Sequence, residues 1–282
     1  MTNEPPRVAS GRGTRLTRRG RLVLIVTAVL AVAVAVLVPV LLVGEPPPEK
    51  GKTVSLLVPE GRRATQVYAS VDKVLGVPSG TTAKAATDAR LELPGAARRN
   101  PEGYLFPATY PVEAGATPAG VLGYMVDTAR ERFGADNITE GARRHGMTVY
   151  QTVTIASIVQ AEADTAADMG RVARVVHNRL AQDMPLQMDS TLNYALNRST
   201  LDTTHSDTKT ESPYNTYESR GLPPTPIGNP GEAAMKAAIS PTRGDWLYFV
   251  TVAPGDTRFT ADYAEHRSNV AEFNANRGSA TE

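Results

Sequence analysis

A single glutamate interrupts a long apolar run. In Thr154-Ile155-Ala156-Ser157-Ile158-Val159-Gln160-Ala161-Glu162-Ala163, the carboxylate of Glu162 is carried into a helix otherwise built for burial. A carboxylate is costly to bury unless it is paired or protonated. Burial also raises its pKa, which is what a general acid working near neutrality requires. A second reading puts Glu162 on a polar stripe near the helix end, and periodicity alone leaves both open. Asp164, two residues on, faces elsewhere. Asp168 is a candidate cap for the following helix.

Residues 181–229 supply candidate binding groups. The stretch lacks a long periodic element and is dense in Asn, Asp, Ser, Thr, Tyr and Pro. A loop of this length is usually functional. Gln187, Asp189, Thr191, Asn193 and Tyr194 form one compact group, and Tyr214, Asn215, Thr216 and Tyr217 a second, ahead of Gly221-Leu222-Pro223-Pro224. Neutral amides, hydroxyls and aromatic faces suit sugar hydroxyls and N-acetyl groups. The alternative is an ordinary polar surface loop.

Other chemistries find no support. The chain has no cysteine, so it holds no disulfide, thiolate metal site or cysteine nucleophile. His145, His177, His205 and His266 are scattered without metal-ligand spacing, and His177 and His266 read as ordinary helix histidines. No glycine-rich phosphate loop is present. Ser157 lacks a Gly-x-Ser-x-Gly elbow and reads as packing or a local hydrogen bond. No metal or organic cofactor is expected.

Several elements must position these residues. Thr53–Val58 reads as a strand, Ala64–Leu75 as a helix and 81–92 as a short weak helix, so 53–95 forms a small α+β module. Arg99–Val112 is rich in turn formers and aromatics. Helices follow over Pro118–Phe133, Thr148–Ala163 and Asp168–Leu180. Asn229 as cap, Pro230 in the first turn and Glu232 at the third position open a helix to about Ile239. Trp246–Val252 and Thr257–Thr260 form a hairpin around Pro254-Gly255-Asp256. A helix over roughly 263–274 follows.

The N-terminal part has a different character. Leu22–Val43 is 22 residues without a charge. As a helix it spans roughly 33 Å, about the thickness of a bilayer core. Before it stand Arg7, Arg12, Arg15, Arg18, Arg19 and Arg21 against Glu4 alone. This predicts a cytoplasmic basic head (1–21), a transmembrane helix (22–43), a Pro-rich spacer (44–52) and an extracytoplasmic remainder. A cleavable signal peptide is the rival, although Gly44-Glu45-Pro46 is not a small-x-small cleavage site. The net charge of +1 hides a mildly acidic remainder, which argues against nucleic acid as a partner.

Taken together, ordered blocks of this sequence resemble the endolytic murein transglycosylases, the YceG-like family. The blocks are Val58-Pro59-Glu60-Gly61; Glu102-Gly103-Tyr104-Leu105-Phe106-Pro107-Ala108-Thr109-Tyr110; Ala156–Glu162; Asn178-Arg179-Leu180 with Met184–Asp189; and Tyr214-Asn215-Thr216-Tyr217 through Ile227. Asn229-Pro230-Gly231, Leu247–Val250 and Glu265-His266 complete the likeness. Two positions depart from the pattern. Gln160 stands where the family has glutamate, and Ser190 stands where it has proline.

The resemblance implies an α+β chain. A membrane anchor precedes a LysM-like module (53–95), a catalytic domain with a long binding loop and a β-hairpin (96–275), and a tail (276–282). It implies a lyase that cuts the β-1,4 bond between N-acetylmuramic acid and N-acetylglucosamine in nascent peptidoglycan, leaving 1,6-anhydromuramoyl ends and terminating strands. Glu162 falls on the family's catalytic glutamate. Gln187 or Asn215 is expected near the N-acetyl oxygen, and Tyr194, Tyr214 and Tyr217 against sugars. Asp189 and Asn193 are further binding candidates, and Asp189 has the alternative of orienting Arg179 or a loop amide. Glu102 is a second carboxylate that either lines the cleft or bonds backbone amides beneath it. Glycan strands are the expected partner, beside peptidoglycan synthases. A non-catalytic wall-binding scaffold and a hydrolase are the rivals.

Overall fold

The apolar run around Glu162 becomes the central helix of the molecule. A computed structural model describes residues 53–198 and 203–279. Its elements, in chain order, are β1 (Val54–Leu57), α1 (Ala64–Leu75), α2 (Thr81–Asp88), β2 (Thr109–Val112), α3 (Pro118–Phe133), α4 (Asp136–Arg144), α5 (Val149–Glu162), α6 (Ala166–Ala181), α7 (Asp189–Ala195), α8 (Glu232–Ile239), β3 (Tyr248–Ala253), β4 (Asp256–Thr260) and α9 (Tyr263–Ser279). One-turn 3-10 helices lie at Gly95–Ala97 and Asp207–Lys209. This is an α+β fold. The predicted head, membrane helix and spacer lie outside the described residues. No helix among the described residues is long and apolar enough to cross a membrane.

The middle of α5, residues 152–159, is enclosed on every side. Val153, Ile155, Ala156, Ile158 and Val159 are fully enclosed, packed by α6 and α8. Thr148 caps α5 by accepting from the Gln151 amide, and the Gln151 side chain returns the bond to the Thr148 amide. α6 contributes Val172, Ala173, Val175 and Val176, and α3 contributes Leu122 and Met125. His145 and His177 bond the carbonyls of Ile239 and Ala238 at the end of α8. His177 is thus a helix histidine with a structural partner.

Two antiparallel pairs flank the helices. β1 pairs with β2, with Val54 opposite Val112 and Leu57 opposite Thr109. The expected module boundary at residue 95 therefore falls between two strands of one sheet. β3 and β4 form the expected hairpin, with Phe249 opposite Phe259 and a bulge between Thr251 and Ala253. α9 packs on it.

Several local expectations are corrected. β2 was hidden by Pro111, which a two-stranded sheet tolerates because each strand has a free edge. α4 was missed because only Ile138, Gly141 and Ala142 face inward. α7 and the short 3-10 turn lie inside the stretch read as loop. Asp168 does not cap α6. Thr165 does, accepting from the Asp168 amide, while the Asp168 carboxylate accepts from the Thr165 hydroxyl. Asn229 does not cap α8 either, which starts at Glu232 behind Gly231.

Asn229 instead ties three distant segments together. Its side-chain oxygen accepts from the Leu105 amide at 2.8 Å, and its side-chain nitrogen donates to the Arg62 carbonyl at 2.7 Å. Its own amide donates to the same carbonyl, and its carbonyl accepts from Gly61. Beside this node Gly103 adopts φ +85°. A Cβ there would lie 2.5 Å from the Pro226 ring, so this glycine serves both conformation and close approach.

Candidate active site

Glu162 ends α5, and the first turn of α7 meets it. The Ser190 amide donates to Glu162 Oε1 at 3.3 Å. The Glu162 side chain is partly buried and keeps an opening to solvent. Surrounding protein is still dense enough that burial raises its pKa above the usual carboxylate value. The Ser190 hydroxyl and amide pull it back, and the negative charge of Asp189 pushes it up again. The Ser190 hydroxyl lies close enough to act electrostatically, but it is buried and makes no hydrogen bond of proper geometry. The carboxyl is thus biased towards holding a proton, which is the state a general acid needs.

The wall next to it is a polar network. Asp189 accepts from the Tyr217 hydroxyl at 2.5 Å. Burial and the carboxylates of Asp189 and Glu162 hold the Tyr217 proton firmly in place. Asp189 therefore pairs with Tyr217 rather than with Arg179, one of its alternatives. Arg179 is buried and donates to the carbonyls of Leu247, Pro185 and Leu186 and to the Gln187 side-chain oxygen. Its guanidinium also lies over the Tyr248 ring at 5.1 Å. Gln187 is exposed, at φ +55°, and its amide is pinned to the Thr216 carbonyl. Because its side-chain oxygen is taken by Arg179, its NH2 is the end left for a ligand.

The other expected binding residues divide between this wall and the interior. Asn215 is fully enclosed. Its NH2 donates to the carbonyls of Thr208 and Thr210, and its oxygen accepts from the Tyr217 amide. That corrects the expectation that it reaches an N-acetyl oxygen: it folds the loop that presents Tyr217. Asn193 is buried and accepts from Arg198, whose guanidinium pairs with Asp207. Tyr214 is partly buried, with its hydroxyl on Thr225 and its ring 5.0 Å from that of Tyr194.

Glu102 takes the second of its two readings. It is 3% exposed and accepts from the Ala64 amide at 2.9 Å and the Tyr194 hydroxyl at 3.1 Å. It therefore joins the start of α1 to the end of α7, with Arg63 over the Tyr194 ring. Burial pushes its pKa up to about 7, although the Ala64 amide, Tyr194 and Arg63 all favour the charged form. A carboxyl whose folded pKa is raised stabilises the fold fully below its unfolded value. That contribution is lost as pH rises through the folded value. The melting temperature is therefore expected to fall between pH 4.5 and pH 7, with Glu102 accounting for a loss of roughly 3 kcal/mol across that range. Thermal melts of the Glu102→Gln variant test this, since a neutral amide should flatten the slope; an unchanged slope removes Glu102 as its source.

Tyr248 stacks on His266 with ring centres 5.0 Å apart, and the Arg179 guanidinium lies over the same tyrosine ring. Gln160, where the resemblance leads one to expect glutamate, accepts from the Gly231 amide at 3.0 Å. Either an amide or a carboxylate oxygen can fill that role, so the change leaves the contact intact. Among the described residues no cluster of His, Asp or Glu is arranged to hold a metal ion. Two surface concavities, one against Tyr110 and Tyr124 and one against Lys209 and Glu218, do not include Glu162.

Comparison with known proteins gives consistent likenesses. A model of the YceG-like family matches residues 37–272. An endolytic murein transglycosylase of Bacillus subtilis is 36% identical over 166 residues, covering 58% of this chain and 46% of that protein. One from Streptococcus pneumoniae is 35% identical over 182 residues, covering 62% of this chain and 33% of that protein. The chain thus spans less than half the length of these curated relatives. A solved structure of a YceG-like protein from Listeria monocytogenes aligns with a TM-score of 0.65 and 30% identity, covering 77% of this chain and 75% of that one.

Proposed function

The chain belongs to the YceG-like family, and from that premise we propose that it is an endolytic peptidoglycan lytic transglycosylase. The observation that carries this reading is Glu162: one carboxyl, biased towards its protonated form, partly open to solvent and facing a wall of amide and phenol groups. Protonated Glu162 donates to the glycosidic oxygen as the bond from the muramic C1 breaks. The muramic C6 hydroxyl then attacks C1, and its proton passes to the Glu162 carboxylate. Atoms balance without water, and the acid is regenerated. One carboxyl thereby serves where hydrolases commonly use two. The exposed NH2 of Gln187 is placed to hold an N-acetyl oxygen, and Tyr214 and Tyr217 to pack against sugar faces. Asp189 acts by fixing Tyr217, and Tyr194 and Glu102 act from behind the wall. Asn193 and Asn215 support the loop.

Residues 1–43 are proposed to anchor the chain, with the basic head in the cytoplasm and the catalytic domain outside, beside the synthases that make its substrate. The LysM-like module is proposed to run from residue 53 through β2, since β1 takes its partner there. Product mass tests the reaction. Uncross-linked glycan strands treated with the full chain should acquire anhydromuramoyl ends, lighter by one water than hydrolytic ends. Reducing ends would make the protein a hydrolase. Strand binding without cleavage would make it a scaffold.

A further inference from the structure

Glu162 receives one backbone hydrogen bond at its carboxyl, from a residue far away in the sequence. Ser190 is the second residue of α7, and its amide reaches Glu162 Oε1 at 3.3 Å across 28 positions of sequence. Its hydroxyl is buried beside the same carboxyl and has no hydrogen-bond partner among the described residues. A buried hydroxyl left unpaired is uncommon, because its desolvation is uncompensated. A proline at this position would supply neither group, since it has no N–H and no hydroxyl.

From this geometry we infer that Ser190 is a positioning residue for Glu162, which aims the carboxyl and stabilises its charged form through the amide and the hydroxyl. The inference rests on the reading of Glu162 as the acid and base of the reaction. The hydroxyl acquires a full acceptor once the proton has left Glu162, so its hold is strongest in the charged state that follows proton donation. Such differential stabilisation lowers the barrier, whereas equal binding of both states would not. The other charged and titratable groups near the carboxyl are Asp189 on α7, whose charge opposes its ionisation, and Tyr217 on the loop, a phenol that burial and the two carboxylates keep neutral. Ser190 thus works against burial and Asp189 and keeps Glu162 able to release its proton.

The substitutions Ser190→Pro and Ser190→Ala separate the two donors. Proline is tolerated in the first turn of a helix, where the amide lacks an intrahelical partner. It removes both donors, and alanine removes only the hydroxyl. The readouts are the Glu162 carboxyl titration in the full chain, followed by carbon-13 NMR with Glu162→Gln as the assignment control, and the pH profile of strand cleavage. Loss of donors to the charged form raises the pKa. Ser190→Pro should raise the titration midpoint by about one pH unit, a tenfold change in proton affinity. Ser190→Ala should raise it by less. The alkaline limb of the cleavage profile should move up with the midpoint, while the plateau rate falls several-fold. A midpoint unchanged in Ser190→Ala would remove the hydroxyl from this role, and one unchanged in both variants would overturn the inference. If Ser190→Pro does not fold, the alanine variant alone decides it. Shifted midpoints in a chain that cleaves no strands would uphold the contact with Glu162 and overturn the transglycosylase reading instead.

Discussion

Glu162→Gln is expected to abolish the formation of anhydromuramoyl ends, lowering the rate by at least about 10³-fold while the protein still folds. The amide is nearly isosteric and can still accept from the Ser190 amide through its oxygen. It can neither deliver a proton to the glycosidic oxygen nor take one from the C6 hydroxyl. General acid–base catalysis contributes about 10²–10⁴-fold for one transfer, and Glu162 is asked to serve in both. Stability moves the other way. The folded pKa of Glu162 is raised, chiefly by burial, so its stabilising contribution is lost as pH rises through that value. The glutamine variant should therefore melt at or above the parent temperature at pH 8. Strand cleavage above a tenth of the parental rate, with the variant folded, would take Glu162 out of the mechanism.

Glu162 was legible in the sequence because a charge inside an apolar helix is a local signal. The same logic read α1 and α3 with their observed bounds, since each combines a clear period with a local stop or cap: Gly76 ends α1, and Thr117 and Pro118 open α3. What the sequence hid is pairing across distance. Nothing local links Ser190 to Glu162, Tyr217 to Asp189, or Tyr194 to Glu102, pairs separated by 28, 28 and 92 positions. Composition alone made Asn215 look like a ligand amide. Its burial shows that the same donors and acceptor are spent on closing its own loop. Elements with little inward surface were hidden for a related reason. α4 buries little beyond Ile138 and Ala142, and α7 is too short to show a period.

The Asn229 node has consequences as large for stability as Glu162 has for rate. Asn229→Ala removes two buried hydrogen bonds and leaves the Leu105 amide without its acceptor, while the Arg62 carbonyl keeps the Asn229 backbone amide. Two lost bonds at about 1 kcal/mol each, with an unpaired buried donor at 1–3 kcal/mol, sum to about 4 kcal/mol. For a unit of this size that is a fall of about 10 °C in melting temperature. Asn229→Asp makes the argument sharper. One carboxyl oxygen can still accept from Leu105, but the other then faces the Arg62 carbonyl. Only a protonated acid can donate there as the amide did. Burial raises the pKa of such a group, so the variant should approach parental stability at pH 5 and lose it as pH rises towards 8. The alanine variant should show no such added slope. Melts of the three proteins at both pH values decide the matter, and an alanine variant within 2 °C of the parent would mean that Asn229 does not hold these segments together. The node joins Arg62, just ahead of α1, and Leu105, two residues after the glycine that packs on Pro226, to the loop returning from the candidate site. Any loosening there should also reach Glu102, Tyr194 and α7. The Asn229→Ala variant is therefore expected to lose cleavage activity at temperatures below its own melting point, before the fold as a whole gives way.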